Sequence, residues 1–332
     1  DHRDLHSFPT RRSSDLINGY IGSVVFSHDN TKLLTTGGRH AIMWDLKSGS
    51  KIMILPEDSG LGPIDFSSDD KRIVTASNKH AMISIWDAHT SAEIKSIQGE
   101  IDAIRVQPPE NYTSVTFSPD GKYILCGDTY DQLYVLDIVQ EKIVQKISGL
   151  SGWYVRNIQF FPDGKRIVVN QSVVSLESGE IIKDFGIPIY LSSDGKDLYV
   201  SSPGGMIDDY YSYIILVLDP NTFEKKKEYP PFTSRADIES NLAISPLGNL
   251  VVVSPKEQKT GVENEIPRII NLESNEIVRT LSITGKQDQT FDLVKFSRDG
   301  KLLACIKGDT AYIYDISDLA SGVKDAEQFD QQ

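Results

Sequence analysis

Six histidines and two cysteines are the first residues to test for chemistry, because imidazoles and thiolates ligate metals, relay protons and attack carbonyls. His2 and His6 fall in the opening stretch DHRDLHSFPTRRSSDL, and His28 and His89 fall in polar turns. His40 and His80 share a context: each precedes Ala at the start of a strand-like run, in RHAIMWD and KHAMISIWD, where the two rings would meet on one rim. A pair of imidazoles needs a third ligand to hold a metal, and none is spaced to join them. Cys126 in YILCGD and Cys305 in LLACIK lie in apolar runs, where a thiol acts as a small hydrophobe, and no CxxC or disulfide framework exists. No GxSxG, HExxH, phosphate-binding glycine loop or EF-hand pattern occurs. The chain therefore reads as having no catalytic residues, no metal site and no cofactor.

The elements that would carry any site come from self-similarity. FSPDGKYIL, starting at Phe117, recurs as FSHDNTKLL (Phe26), FSSDDKRIV (Phe66), FFPDGKRIV (Phe160), LSSDGKDLYV (Leu191), ISPLGNLVV (Ile244) and FSRDGKLLA (Phe296). The seven copies are about 30 to 55 residues apart, the period of propeller blades. In each, an apolar strand ends at the aromatic or aliphatic residue, a polar turn such as Pro119-Asp120-Gly121 reverses the chain, and a second strand follows. A third strand then ends in a hydrophobe and an acid, as in IMWD, ISIWD, LYVLD and AYIYD, and in the first six copies a more polar fourth strand follows.

With the Trp44-Asp45 and Trp86-Asp87 dipeptides and the Asp120-Gly121 turn, the chain resembles the WD-repeat family over all but its two ends. The resemblance implies an all-β fold: a seven-bladed β-propeller of four-stranded antiparallel blades, the last blade incomplete. The Gly-His dipeptide usual in that family is missing from every copy, so the family's His-centred hydrogen-bond network is not carried over and the repeats look like divergent bacterial ones. Trp44, Asp45, Trp86, Asp87, Asp120 and Gly121 repeat with the blade, which makes them structural.

The opening stretch has no periodicity, and it back-translates codon by codon into one frame of a common sequencing-library adapter. Residues 1–16 are accordingly expected to be a non-native artefact, residues 17–318 the propeller and 319–332 a polar tail. The native chain is expected to begin upstream of Ile17, and the lost piece to include the strand that would complete the last blade.

Charge and hydropathy narrow the function. A formal net charge of -13 offers no basic surface for nucleic acid. No apolar run approaches the length of a membrane span. Lys225, Lys226 and Lys227 fall on a fourth strand, where edge lysines oppose sheet-to-sheet association.

In a propeller of this kind, the loops joining the first to the second and the third to the fourth strands share one face and are short here. The loops joining the second to the third strands, and blade to blade, share the other face and hold the insertions: 98–111, 202–212, 230–239 and 254–265. Insertions on one face of a repeat array mark a binding face. On or beside them lie Trp153, Tyr154, Arg156, Asp208, Asp209, Tyr210, Tyr211, Phe232 and Arg235, residue types suited to a protein interface. The expectation is a monomeric ring that binds a protein or peptide without catalysis. The alternative is a lactonase-like or TolB-like propeller with a ligand or enzymatic site at the central channel.

Overall fold

A computed structural model describes residues 4–8, 21–37, 40–55, 62–76, 82–98, 112–150, 154–207, 210–234, 242–254, 267–281 and 291–320. These form seven antiparallel sheets, one per sequence repeat, and in six of them the strands follow chain order. Blade 3 is typical, with strands Tyr112–Phe117, Tyr123–Asp128, Leu133–Asp137 and Lys142–Ile147. The burial gradient along a blade accounts for the sequence grammar. The second and third strands are apolar on both faces because a blade lies against each, whereas Lys225–Glu228, the fourth strand of blade 5, is exposed throughout. Its lysines all have carboxylate partners: Lys225 with Glu228 (2.9 Å), Lys226 with Asp197 (2.8 Å), and Lys227 with Glu273.

The core is divided rather than central. Seven apolar clusters each join two successive blades, and one of them joins the last blade to the first, through Ala304, Ile306, Ala311 and Ile313 against Ile21, Val24, Phe26 and Trp44. The ring is closed by packing.

The last copy supplies three strands, Leu293–Phe296, Leu302–Lys307 and Thr310–Asp315. The fourth position is occupied by Asp4–Phe8, antiparallel to Thr310–Asp315, out of the stretch set aside above as non-native. Backbone hydrogen bonding along a sheet edge does not depend on side-chain identity, so strand propensity gives little warning of such a pairing. Beyond Asp315, Ser317–Ala320 makes one helical turn whose Leu319 packs on the cluster between blades 6 and 7.

The repeated FSxD phrase is a hydrogen-bonded turn. In five blades the buried Ser (Ser27, Ser67, Ser118, Ser192, Ser297) donates its hydroxyl to the Asp two residues on, at 2.6–2.8 Å. That Asp accepts the backbone N–H two residues further, and the Ser oxygen accepts the N–H five residues on. The position between needs a left-handed backbone and holds Asn30, Asp70, Gly121, Gly195 or Gly300, residues that tolerate it.

These hydrogen bonds set an acid response. Burial works against ionisation of Asp29, yet the hydrogen bonds from Ser27 and Thr31 outweigh it and bring the carboxyl down to about 2. Lys196 and Ser192 bring Asp194 to about 2 as well. A carboxyl depressed in the folded state stabilises the fold above its ordinary value near 3.8 and loses that contribution as pH falls towards 2. The thermal midpoint is therefore expected to drop between about pH 4 and pH 2. An Asp29→Asn/Asp194→Asn variant, scanned by circular dichroism, is expected to show a shallower drop over that interval.

Candidate functional site

On the face carrying the blade-to-blade and second-to-third-strand loops, the expected site residues that the structure describes belong to blades 3, 4 and 5. Between blades 3 and 4 the chain passes through Tyr154, Val155 and Arg156. Three neighbouring residues hold that passage. Thr113 donates its hydroxyl to the Val155 carbonyl at 2.5 Å. Val155 is fully buried and lies over Gly127, where an added Cβ would come within 2.3 Å of it. Asn170, left-handed at φ 53°, accepts from the N–H of Arg156 (2.9 Å) and donates its amide to the Tyr154 carbonyl (2.8 Å). The side chains on either side of Val155 are free of this scaffold. Arg156 is exposed and its guanidinium lies 4.0 Å from the centre of the half-buried Tyr154 ring, a cation–π stack.

Blade 5 supplies the second part. The 202–212 segment, expected above as a loop insertion, is instead an extension of two strands, Leu198–Ile207 and Tyr210–Leu218. Its third strand, YYSYIILVL, is rich in β-branched and aromatic residues, which favour a pleated surface, and Gly204-Gly205 admits the bulge where the register shifts. Phe232–Ser234 adds a strand against Tyr211–Tyr213, so the 230–239 insertion also begins as sheet. Phe232 is 4% exposed and stacks on Tyr213 at 5.9 Å. It therefore braces the extension from within and, as placed, shows no ring to a partner.

Of the other expected residues, Tyr210 and Tyr211 stand at the start of the long third strand of blade 5. Trp153, Asp208, Asp209 and Arg235 lie outside the described residues, as do most of the 98–111 and 254–265 insertions. Tyr154 and Arg156 are thus brought together, and the blade 5 extension forms a separate part of the same face. Sequence reasoning passed over Tyr130, 45% exposed in the turn between the second and third strands of blade 3. Its signal was an aromatic ring inside the polar turn DTYDQ.

The central channel, about 670 Å³, is walled by the first strands of all seven blades. The residue just before the motif's Phe or Leu lines it in six of them: Val25, Asp65, Thr116, Gln159, Tyr190 and Lys295. Several of these clasp the next blade. Asp65 accepts from the Thr116 hydroxyl (2.6 Å), the Gln159 side-chain oxygen accepts from the Leu191 N–H (2.9 Å), and Tyr190 donates to the Leu242 carbonyl (3.2 Å). This girdle corresponds to one position in the repeat, directly before the motif, where the residue type varies from blade to blade.

His40 is buried and His80 lies outside the described residues, so the rim pair is not on view. His28 is in a turn, its ring 3.0 Å from Asp70. Among the described residues no three His, Cys, Asp or Glu side chains gather as a metal site, and no helix is long and apolar enough to cross a membrane.

The Trp-Asp dipeptides have structural work in these coordinated blades. Trp44 and Trp86 donate their indole N–H to Thr35 and Thr75 of the second strand, each at 2.9 Å, and Asp45 and Asp87 accept the backbone N–H groups of the following turn. Residues 107–134, spanning the first two strands of blade 3 and the start of the third, match the family model described as WD domain, G-beta repeat. No curated protein matches the chain.

Proposed function

Because the chain is a WD-repeat β-propeller, we propose that it works as a non-catalytic scaffold that docks a protein or peptide on the face carrying the blade-to-blade and second-to-third-strand loops. Propellers of this family commonly act as protein-interaction scaffolds. The observation that carries the reading is the Tyr154–Arg156 passage. Its backbone is fixed by Thr113, Gly127 and Asn170, while an aromatic ring and a guanidinium, both hot-spot residue types, stay available to a partner. A loop held in place before binding loses little conformational entropy on docking, which favours affinity.

The opposite face is less suited to this. Its turns are occupied with one another: Asp70 accepts from the N–H groups of His28 (2.8 Å) and Asp29 (2.9 Å), Ser68 donates to Pro119 (2.9 Å), and Arg298 donates its N–H to Asn30 (3.2 Å).

Site-specific photo-crosslinking in the source cell tests the assignment. A benzoylphenylalanine at Tyr154 is expected to capture a discrete protein, and the same group at Lys122, on the turn face, is expected to capture none. Arg156→Ala should then weaken binding of the captured protein by about tenfold or more, the scale of a hot-spot loss. Equal capture from both faces would overturn the assignment of the face.

A further inference from the structure

Several lysines on the outside of this acidic chain have carboxylate partners: Lys95 with Glu141, Lys122 with Asp120, Lys196 with Asp194, and the three of the blade 5 edge. The channel is lined by cations in excess of carboxylates. Arg156, Lys295 and Arg298 line it against the single carboxylate of Asp65, in a molecule whose net charge is -13. Lys295 stands in the middle of the first strand of blade 7, and Arg298 follows three residues later at the turn-side mouth. Among the described residues neither has a carboxylate within ion-pair distance. Asp65 already accepts from the Thr116 hydroxyl (2.6 Å) and, at 3.4 Å, from the Phe117 N–H.

We propose that the turn-side half of the channel binds a small molecule bearing an oxyanion, a carboxylate or a phosphate, held between the Lys295 ammonium and the Arg298 guanidinium. Two like charges facing one channel repel, and although both side chains are exposed to its lumen, water there screens the repulsion only in part. An oxyanion between them removes the repulsion and accepts charge-assisted hydrogen bonds from both. The surroundings of Lys295 agree with this: enclosure by the blades lowers its basicity, Asp65 across the wall opposes the change, and Arg298 adds to it. Gln159 contributes its oxygen to Leu191, which leaves its amide N–H groups as further donors on the same wall. The channel volume of about 670 Å³ lies within the range of small-molecule sites. Lys295 and Arg298 are not part of the Tyr154–Arg156 passage, although Arg156 lines the same channel, and the proposal does not depend on protein docking.

Calorimetric titration of the whole chain with inorganic phosphate and with citrate, at constant ionic strength, tests it. At least one probe is expected to bind saturably at one site per chain, and which of the two binds more tightly assigns the phosphate or the carboxylate class. Lys295→Met and Arg298→Gln should each weaken that binding by about tenfold or more. Lys295→Arg should retain it, and Lys225→Met, which removes the same charge from the exposed blade edge, should leave it unchanged. Lys295→Met keeps the aliphatic stem, and an unaltered circular dichroism spectrum would show that its loss of binding is not loss of fold. Failure of both probes to saturate, wild-type affinity in Lys295→Met, or equal weakening in Lys225→Met would each overturn the proposal.

Discussion

Trp86→Ala lowers the stability of the ring by about 3–5 kcal/mol, the range for removing a large aromatic side chain from a packed core. Trp86 is 5% exposed and belongs to the cluster joining blades 1 and 2, with Val25, Leu34, Met43 and Phe66. Its loss opens a cavity at one of the seven interblade interfaces and leaves Thr75, itself 2% exposed, without the indole N–H that it accepts. Thr75→Val separates the two effects. It keeps the volume but leaves the indole N–H buried without an acceptor, which costs about 1–3 kcal/mol. Urea unfolding of both variants checks the order: Trp86→Ala is expected to be the less stable of the two. If Thr75→Val proves as damaging as Trp86→Ala, the hydrogen bond rather than the packing holds the interface.

The second large effect is expected at Gly127, a position that looks innocuous. Its backbone is not left-handed, so conformation alone would admit alanine. Space does not: the added Cβ would lie 2.3 Å from Val155 Cβ and 2.5 Å from the Ser114 hydroxyl. Val155 must then move, and it carries Tyr154 and Arg156 with it. Gly127→Ala is expected to destabilise the fold by about 1–3 kcal/mol, as overpacking does. It should also reduce capture of a partner by the benzoylphenylalanine at position 154, although residue 127 faces no partner. Adding Val155→Ala makes room and is expected to restore part of both losses, so a double-mutant cycle reads out the contact directly. Two strictly additive effects would show that Gly127 does not position the loop.

The sequence made the blade legible because its turn chemistry repeats. Ser, Asp and a left-handed residue recur at fixed spacing since each turn closes through the same hydrogen bonds, and Trp-Asp recurs because an indole and a carboxylate do the same work at the end of a third strand. The partners that lie outside the motif were harder to read. Thr35 and Thr75 are ordinary strand residues until an indole is seen to donate to them. Phe232 has the composition of a contact residue, but its burial depends on a strand pairing with Tyr213 from a separate segment. Asn170 reads as a turn residue, and its hold on Tyr154 and Arg156 spans 14 to 16 residues of chain. Lys295 was hidden differently: one position before each motif varies from Val to Asp to Lys, and only the ring makes these neighbours.

Seven apolar seams of one kind, the last returning to the first, give the molecule the mechanics of a hoop. A blade cannot loosen without opening the seams on both its sides, so no blade is an independent folding unit. A pull on a docking loop between blades 3 and 4 enters the seam formed by Leu125, Val135, Val155 and Ile167 and is shared round the circumference. A partner seated there would meet a surface that yields as a whole or not at all.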